Sequence, residues 1–315
     1  MAHRQRVYPV QILRTAKFVQ PMIHRAIFSF ILLVSLSTQA QSVEPQVQIV
    51  PPSDYQSRDA EVEALHQRLE KENPRRFQAR TFEHAGREVR YRWFTPKSAD
   101  GRLPLIITLH GSSGKGSDNL TQLTGGNATL SAGVWASPES QAKHPCFVLA
   151  PQCPPGEMWT HTASWTSPDH PLAPQPAPAL ADVMALLDEL LKTHPIDPTR
   201  IYLAGASMGG YGTWDWIVRE PQRFAAAIPV CGGMPEGQAA QLKRLPLWIF
   251  HGENDNIVPV AESRRAFAEI TAAGGHPRYT EFAKGAHRIS VYVWSDPKIA
   301  EWLFAQKRKP SNFKN

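Results

Sequence analysis

Short apolar runs and amphipathic stretches alternate along most of the chain. Five runs are apolar without polar alternation: 103–109, 147–150, 201–204, 225–230 and 247–250. Runs of this length are typical of strands that are buried on both faces of a parallel sheet. A further strand is expected at 278–282, close to the end of the chain.

Helical patterns separate these strands. Between residues 180 and 191, apolar positions follow the i, i+3, i+4, i+7 rule and end before a His-Pro pair, which predicts a helix. Further helices are expected at 208–218, 261–273 and 297–306. The alternation predicts an α/β fold in which a mostly parallel central sheet carries helices on both faces. The segment 167–178 contains five prolines and is interpreted as an extended loop, so no separate lid domain is expected.

The region before the first buried strand has a different pattern. Residues 77–82 and 88–94 alternate between polar and apolar positions and are expected to form an antiparallel pair that is joined near Gly86. A helix at 60–70 is predicted to lie outside the main core. We therefore divide the chain into an N-terminal segment (1–40), an extension with a helix (41–76) and an α/β domain (77–310).

The first forty residues resemble a targeting signal. Residues 26–36 are largely apolar, follow basic residues and precede small ones, and the run is too short to span a bilayer as a helix. We expect a signal peptide that is cleaved after Ala40, a secreted or periplasmic protein, and no stable membrane insertion after cleavage. An uncleaved membrane anchor is the alternative, and Met22 is an alternative start that would give a signal of more ordinary length.

Cleavage there changes the charge of the protein. The whole chain has a formal net charge of +6, but residues 1–40 hold five Lys and Arg and no acidic residue, which leaves 29 basic against 28 acidic residues. This balance does not indicate a nucleic-acid partner. Metal motifs such as H-E-x-x-H do not occur, so neither a metal nor another cofactor is expected.

The three cysteines allow at most one disulfide in an oxidising compartment. Cys153 and Cys231 both follow predicted strands, so they are one possible pair. Three separate buried thiols, with Cys146 the third, are the alternative.

Residues 203–214, LAGASMGGYGTW, contain four glycines around one serine. They include a G-x-S-x-G match that follows a predicted strand and begins a predicted helix. This is the setting of a nucleophile elbow, a tight turn that lifts a serine hydroxyl clear of the sheet edge. Side chains at Gly205 or Gly209 would collide with neighbouring backbone, and Gly210 and Gly212 would let the helix pack closely on the strands. Ser207 is therefore the candidate nucleophile, and a structural glycine-rich turn is the alternative.

A serine nucleophile needs a base, and the base needs an acid that orients it. In this architecture the acid and the base follow the serine in chain order, each after its own strand. Asp255, in the loop after 247–250, is the expected acid, and Glu253 in the same loop is its competitor. His287, after 278–282, is the expected base.

An acyl-transfer site also needs N–H donors for the oxyanion. The backbone N–H of Met208, at a helix N-terminus, is one expected donor. The other is the N–H of Ser112 in the loop after 103–109, with Gly111 or Ser113 as alternatives. Three tryptophans in predicted loops, Trp159, Trp165 and Trp294, could stack on a sugar or aryl group, although core packing is the more common use of tryptophan.

These motifs resemble the carboxylesterase and predicted-peptidase branch of the α/β-hydrolases, which is related to polyhydroxybutyrate depolymerases, feruloyl esterases and prolyl oligopeptidases. The resemblance runs from about residue 103 to 302 and includes LHGSSGKGSDN, VLAPQCP, PIDPTRIYLAGASMGGYGTWDW, VCGG and HGENDNIVPV. It implies a Ser207–Asp255–His287 triad and an oxyanion loop that starts at His110. The sequence HRISVYVW departs from the branch, because Arg288 directly follows the base.

The sequence thus predicts a secreted serine hydrolase that cleaves carboxylic esters through an acyl-enzyme on Ser207. Its substrate would be a small-molecule ester or an ester on a polysaccharide, such as an acetyl or feruloyl ester. A serine peptidase with the same triad is the first alternative. The second is a catalytically silent carbohydrate-binding protein on a hydrolase scaffold.

Overall fold

One nine-stranded sheet forms the centre of the protein in the computed structural model. The structure describes residues 46–97, 101–126, 128–162, 164–166 and 170–309. The strands are β1 Gln46–Val50, β2 Gln78–His84, β3 Arg87–Phe94, β4 Leu103–Leu109, β5 Phe147–Pro151, β6 Ile196–Ala206, β7 Ala226–Val230, β8 Trp248–Gly252 and β9 Arg278–Phe282. The helices are α1 Pro52–Gln56, α2 Asp59–Arg76, α3 Thr121–Thr124, α4 Ala128–Ala136, α5 Pro138–Lys143, α6 Pro178–Thr193, α7 Met208–Arg219, α8 Ala239–Leu242, α9 Ala261–Ala272, α10 Ser290–Trp294 and α11 Pro297–Ala305.

The sheet is mostly parallel, as the apolar runs predict. Its order is β1-β9-β8-β7-β6-β4-β5-β3-β2. Only β3 pairs antiparallel with both of its neighbours, β2 and β5, while the pairs from β5 across to β1 are parallel. Because parallel strands all point the same way, the loops after β4, β6, β8 and β9 meet at one edge of the sheet.

Two apolar layers cover the two faces of the sheet. Side chains of β4 and β6 alternate between the layers: Leu105 and Ile107 face one, and Ile106 faces the other. Helix α6 covers the first layer with Leu180 and Leu187, both fully buried. The strands read as continuous apolar runs because both of their faces are removed from water.

The N-terminal part of the described chain belongs to this sheet, contrary to the division at residue 77. Strand β1 pairs with β9, with Gln46 opposite Arg278. Helix α2 is also part of the second apolar layer, because Val62 and Leu69 are buried in it. The expectation that residues 60–70 lie outside the core is therefore wrong. The described residues all belong to one compact unit, and no separate lid domain occurs among them.

The predicted antiparallel pair, β2 and β3, and all the later predicted strands and helices are present. Their ends shift by two residues or fewer, except that β6 begins at Ile196, five residues before the predicted run. All three cysteines are buried and free, so the Cys153–Cys231 disulfide is not formed and the separate thiols are the observed state. No helix within the described ranges is long and apolar enough to cross a membrane. The predicted signal peptide, residues 1–40, lies outside the described residues.

Candidate active site

Ser207 occupies the tight turn between β6 and α7 in a strained backbone conformation. Its φ is 59° and its ψ is −122°, a region that residues other than glycine rarely adopt. A Cβ at Gly209 would lie 1.8 Å from the carbonyl oxygen of Leu109, and one at Gly205 would lie 2.3 Å from that of Gly209. The two motif glycines are therefore required by close backbone contact, as the sequence predicts.

The structure brings the three predicted side chains into one hydrogen-bonded chain. His287 Nε2 lies 2.8 Å from Ser207 Oγ, and His287 Nδ1 lies 2.7 Å from Asp255 Oδ2. Because an ionised carboxylate only accepts, Nδ1 carries the proton and donates to Asp255. Nε2 is then the acceptor for the Ser207 hydroxyl. Residues 80 positions apart in the chain thus share one proton pathway.

Asp255 is held as a buried carboxylate. Its side chain is completely buried, while that of His287 is 21% exposed. Burial alone would raise the pKa of Asp255, but hydrogen bonds from His251 and His287 and from the backbone N–H of Val258 hold that pKa well below its usual value. The N–H of Ile257 donates to the same carboxylate at 2.9 Å. The acid therefore stays negatively charged beside the imidazole, where it stabilises a protonated ring.

Two residues behind Asp255 were not anticipated from the sequence. His251 Nε2 lies 3.0 Å from the Val258 carbonyl and 3.3 Å from Asp255 Oδ2. Both partners are acceptors, so Nε2 carries the proton and Nδ1 accepts from Ser263 Oγ at 2.7 Å. The buried Cys231 thiol donates to the His287 carbonyl at 3.8 Å and lies within 4.8 Å of the Asp255 carboxylate. Burial, and to a smaller extent the charge of Asp255, raise the pKa of this thiol well above its usual value.

Cys231, His251 and Asp255 are close enough to share a metal ion, with their ligand atoms within 4.8 Å of one another. Their chemistry does not fit one. Both ring nitrogens of His251 are already used, because Nε2 donates to the Val258 carbonyl and Nδ1 accepts from Ser263. Asp255 is already committed to His287 and to two backbone N–H groups. We interpret the cluster as a set of neighbours that hold the Asp255 side chain in place.

The loop after β4 is organised around a buried histidine. His110 Nδ1 donates to the Gly111 carbonyl at 2.6 Å, and its Nε2 accepts from the Cys153 N–H at 3.0 Å. Burial lowers the pKa of His110 to about 4, so the ring is neutral at physiological pH. Trp159 Nε1 donates to the His110 carbonyl at 3.0 Å. These bonds fix the position of the predicted oxyanion loop, a role that sequence analysis did not assign to His110.

Ser207 and His287 open into a small cavity that this loop also lines, through Gly111, Ser112 and Ser113. Ser112 begins a 3₁₀ turn there. Met208 is the first residue of α7, and the first N–H groups of a helix have no partner within it. Both predicted oxyanion donors thus belong to segments that border the serine.

Other residues singled out in the sequence lie elsewhere. Glu253 Oε2 accepts from the Lys284 N–H at 2.8 Å and does not contact the imidazole. Trp159 and Trp294 are buried in the core, whereas Trp165 is partly buried against Tyr211. The side chain of Arg288 is 69% exposed and lies 4.0 Å from Glu63, so Arg288 does not occupy the cavity beside the base.

Comparisons with known proteins give both peptidases and esterases. Residues 177–235, which include the turn at Ser207, match the sequence model of the prolyl oligopeptidase family. The chain is 27% identical to uncharacterized peptidase YuxL of Bacillus subtilis (strain 168) over 145 residues, 35% of this chain and 22% of that protein. It is 28% identical to poly(3-hydroxyalkanoate) depolymerase C of Paucimonas lemoignei over 138 residues, 44% of this chain and 30% of that protein.

Among solved structures, the chain is similar to a thermostable esterase with 39% sequence identity and a TM-score of 0.68. The match covers 74% of this chain and 64% of the esterase. This chain therefore spans less than a third of the length of either curated relative and under two thirds of the esterase.

Proposed function

Because the chain belongs to the α/β-hydrolase superfamily, we propose that it is a serine hydrolase that cleaves carboxylic esters. Ser207 is the nucleophile, His287 the general base and Asp255 the acid that orients His287. The N–H groups of Met208 and Ser112 hold the oxyanion. The observation that carries the proposal is the continuous hydrogen-bonded chain from Ser207 Oγ through His287 to Asp255.

The reaction follows from the directions of these hydrogen bonds. His287 Nε2 takes the hydroxyl proton as Ser207 Oγ attacks the ester carbonyl, and the two N–H groups stabilise the negative oxygen. The charged ring is stabilised by Asp255 and then gives its proton to the departing alcohol, which leaves an acyl-enzyme. Water attacks this ester with the same base, releases the acid and restores the Ser207 hydroxyl.

Replacing the nucleophile tests the assignment. We expect Ser207→Ala to keep the fold and to lower p-nitrophenyl acetate hydrolysis by about 10⁴-fold or more. A fluorophosphonate probe should label the natural protein and not the variant. The control is Ser57→Ala, which removes an exposed hydroxyl that bonds only to the Asp54 carbonyl. Undiminished turnover in Ser207→Ala would remove Ser207 from the mechanism, and absence of labelling in the natural protein would favour a silent binding scaffold.

A peptidase with the same residues is the second candidate, favoured by the match to the prolyl oligopeptidase family. Ester and amide substrates with one common acyl group separate the two activities. An amine is a poorer leaving group than an alcohol, so amide cleavage demands efficient protonation by His287. Comparable kcat/KM values for the ester and the amide would favour the peptidase.

We also propose that the protein is exported and acts on small esters or on esters carried by polysaccharides. Export is supported by the apolar run and the small residues of 26–40. The ester class is supported by the likeness to a structurally characterised esterase and to a depolymerase of a polyester.

A further inference from the structure

The cavity beside Ser207 has walls from three parts of the chain. The oxyanion loop forms one, the first turns of α4 form the second through Ala128 and Ser131, and Ser290 at the start of α10 forms the third. Ala206 and Leu109, at the ends of β6 and β4, complete the lining. Because the carbonyl carbon of a substrate must lie between Ser207 Oγ and the oxyanion loop, one substituent of that carbon is directed into this cavity.

The volume of the cavity limits what can enter it. It measures about 100 Å³, whereas a cavity that binds benzene measures about 150 Å³. Scaled from the six non-hydrogen atoms of benzene, the cavity takes about four. An aromatic acyl group such as feruloyl is too large for this space.

One residue of the lining carries a hydroxyl without a partner, and that hydroxyl would meet a ligand after a rotation of its side chain toward the cavity. The Ser290 side chain is 1% exposed, and its Oγ has no hydrogen-bond partner among the described residues. Ser290 does not cap α10, since the N-cap is Ile289. Ser131 differs, because its hydroxyl donates to the Ala128 carbonyl at 3.0 Å. A buried hydroxyl without a partner is unfavourable, and a substrate atom that bonded to it would relieve that cost.

We propose that this cavity is the acyl pocket and that Ser290 determines its specificity. The pocket takes an acyl group of two to four carbons that carries a hydroxyl or another hydrogen-bonding atom near the carbonyl. The inference rests on the proposed ester hydrolysis and narrows its substrate class. It predicts that the enzyme prefers short polar acyl groups to feruloyl groups and to long alkyl chains.

Two acyl groups of nearly the same size and shape test the role of Ser290. Hydroxyacetyl and propionyl esters of one alcohol differ by a hydroxyl in place of a methyl group. We expect Ser290→Ala to lower the kcat/KM ratio of hydroxyacetyl to propionyl by about tenfold relative to the natural protein, with propionyl turnover retained. Comparing this ratio between proteins cancels the different intrinsic reactivities of the two esters.

The matched control is Ser140→Ala. Ser140 Oγ is also buried without a partner, but Ser140 lines a separate cavity with Trp135 and Trp294. Its removal should leave the ratio unchanged. Circular dichroism of both variants checks that the fold is kept.

A second series varies the length of the acyl group on one alcohol. Hexanoyl and benzoyl esters should show a kcat/KM about a hundredfold below that of propionyl. Equal turnover of these larger esters, an unchanged ratio in Ser290→Ala, or selectivity that follows only the alcohol would each overturn the acyl-pocket assignment while leaving the hydrolase intact. No turnover of any ester, together with no fluorophosphonate labelling, would reject both the proposed function and this inference.

Discussion

At the scale of single residues, the site combines a strained backbone with a buried charge that hydrogen bonds stabilise. Ser207 is held at a positive φ, and Asp255 remains charged although fully buried, because N–H donors surround it. Motif and chain order were sufficient to predict that Ser207, His287 and Asp255 lie together in one hydrogen-bonded chain. They could not predict the neighbours of Asp255. Cys231 approaches it only because β7 and β8 lie side by side, and the contact with His251, four residues away, depends on the folded shape of the loop after β8.

The strain at Ser207 leads to a stability prediction. Ser207→Gly should be more stable than Ser207→Ala by about 1 kcal/mol, because glycine adopts a φ of 59° without steric cost, even after its larger unfolded-state entropy is subtracted. Both variants lack the bond to His287, so that loss cancels. Urea unfolding of the two proteins measures the difference. An alanine variant as stable as the glycine variant would show that the turn is unstrained.

At the scale of elements, the nucleophile turn depends on how closely α7 approaches the end of β4. The Cβ positions at Gly209 and Gly210 are occupied by backbone of neighbouring segments. The strands were predictable because each is apolar on both faces. Helix α4 was not predictable, since its residues ATLSAGVWA are almost all buried and lack a polar face from which a 3.6-residue period could be recognised. Strand β1 was missed because it is a short, mostly exposed edge.

The close approach of α7 gives a test by substitution. Gly209→Ala would place a Cβ 1.8 Å from the Leu109 carbonyl oxygen, so we expect a loss of about 3 kcal/mol of unfolding free energy and a displaced oxyanion loop. Gly111→Ala is the matched comparison. Its Cβ would meet Ala206 O at 3.4 Å, an ordinary contact, and its φ is −72°. Chemical denaturation measures the unfolding free energy of both variants. Equal values would contradict the close contact between Gly209 and the Leu109 carbonyl.

At the scale of the whole molecule, the parallel sheet collects residues that are distant in the chain at one edge. The class of fold followed from the alternation of strands and helices, and the site followed from its motifs. The cavity beside Ser207 could not be predicted from the sequence. Its walls come from the oxyanion loop, α4 and α10, and the distances between these segments depend on tertiary packing.

The proposed export fixes where the mature chain should begin. When the whole sequence is produced in a bacterial host with its own N-terminal segment, the exported protein should start at Gln41 and carry a net charge of +1 in place of +6. Intact-mass measurement and N-terminal sequencing test this directly. An exported protein that retained residues 26–36 would support the membrane anchor in place of the cleaved signal.

The position of His287 after β9 has a consequence for assembly. The proton acceptor of Ser207 is 80 residues downstream of it. In the sheet order, β7 and β8 lie between β6, which precedes Ser207, and β9, which precedes His287. A chain whose last strands have not yet joined the sheet would hold the turn at Ser207 without its proton acceptor. Under the proposed function, such a chain is inert until β9 is in place.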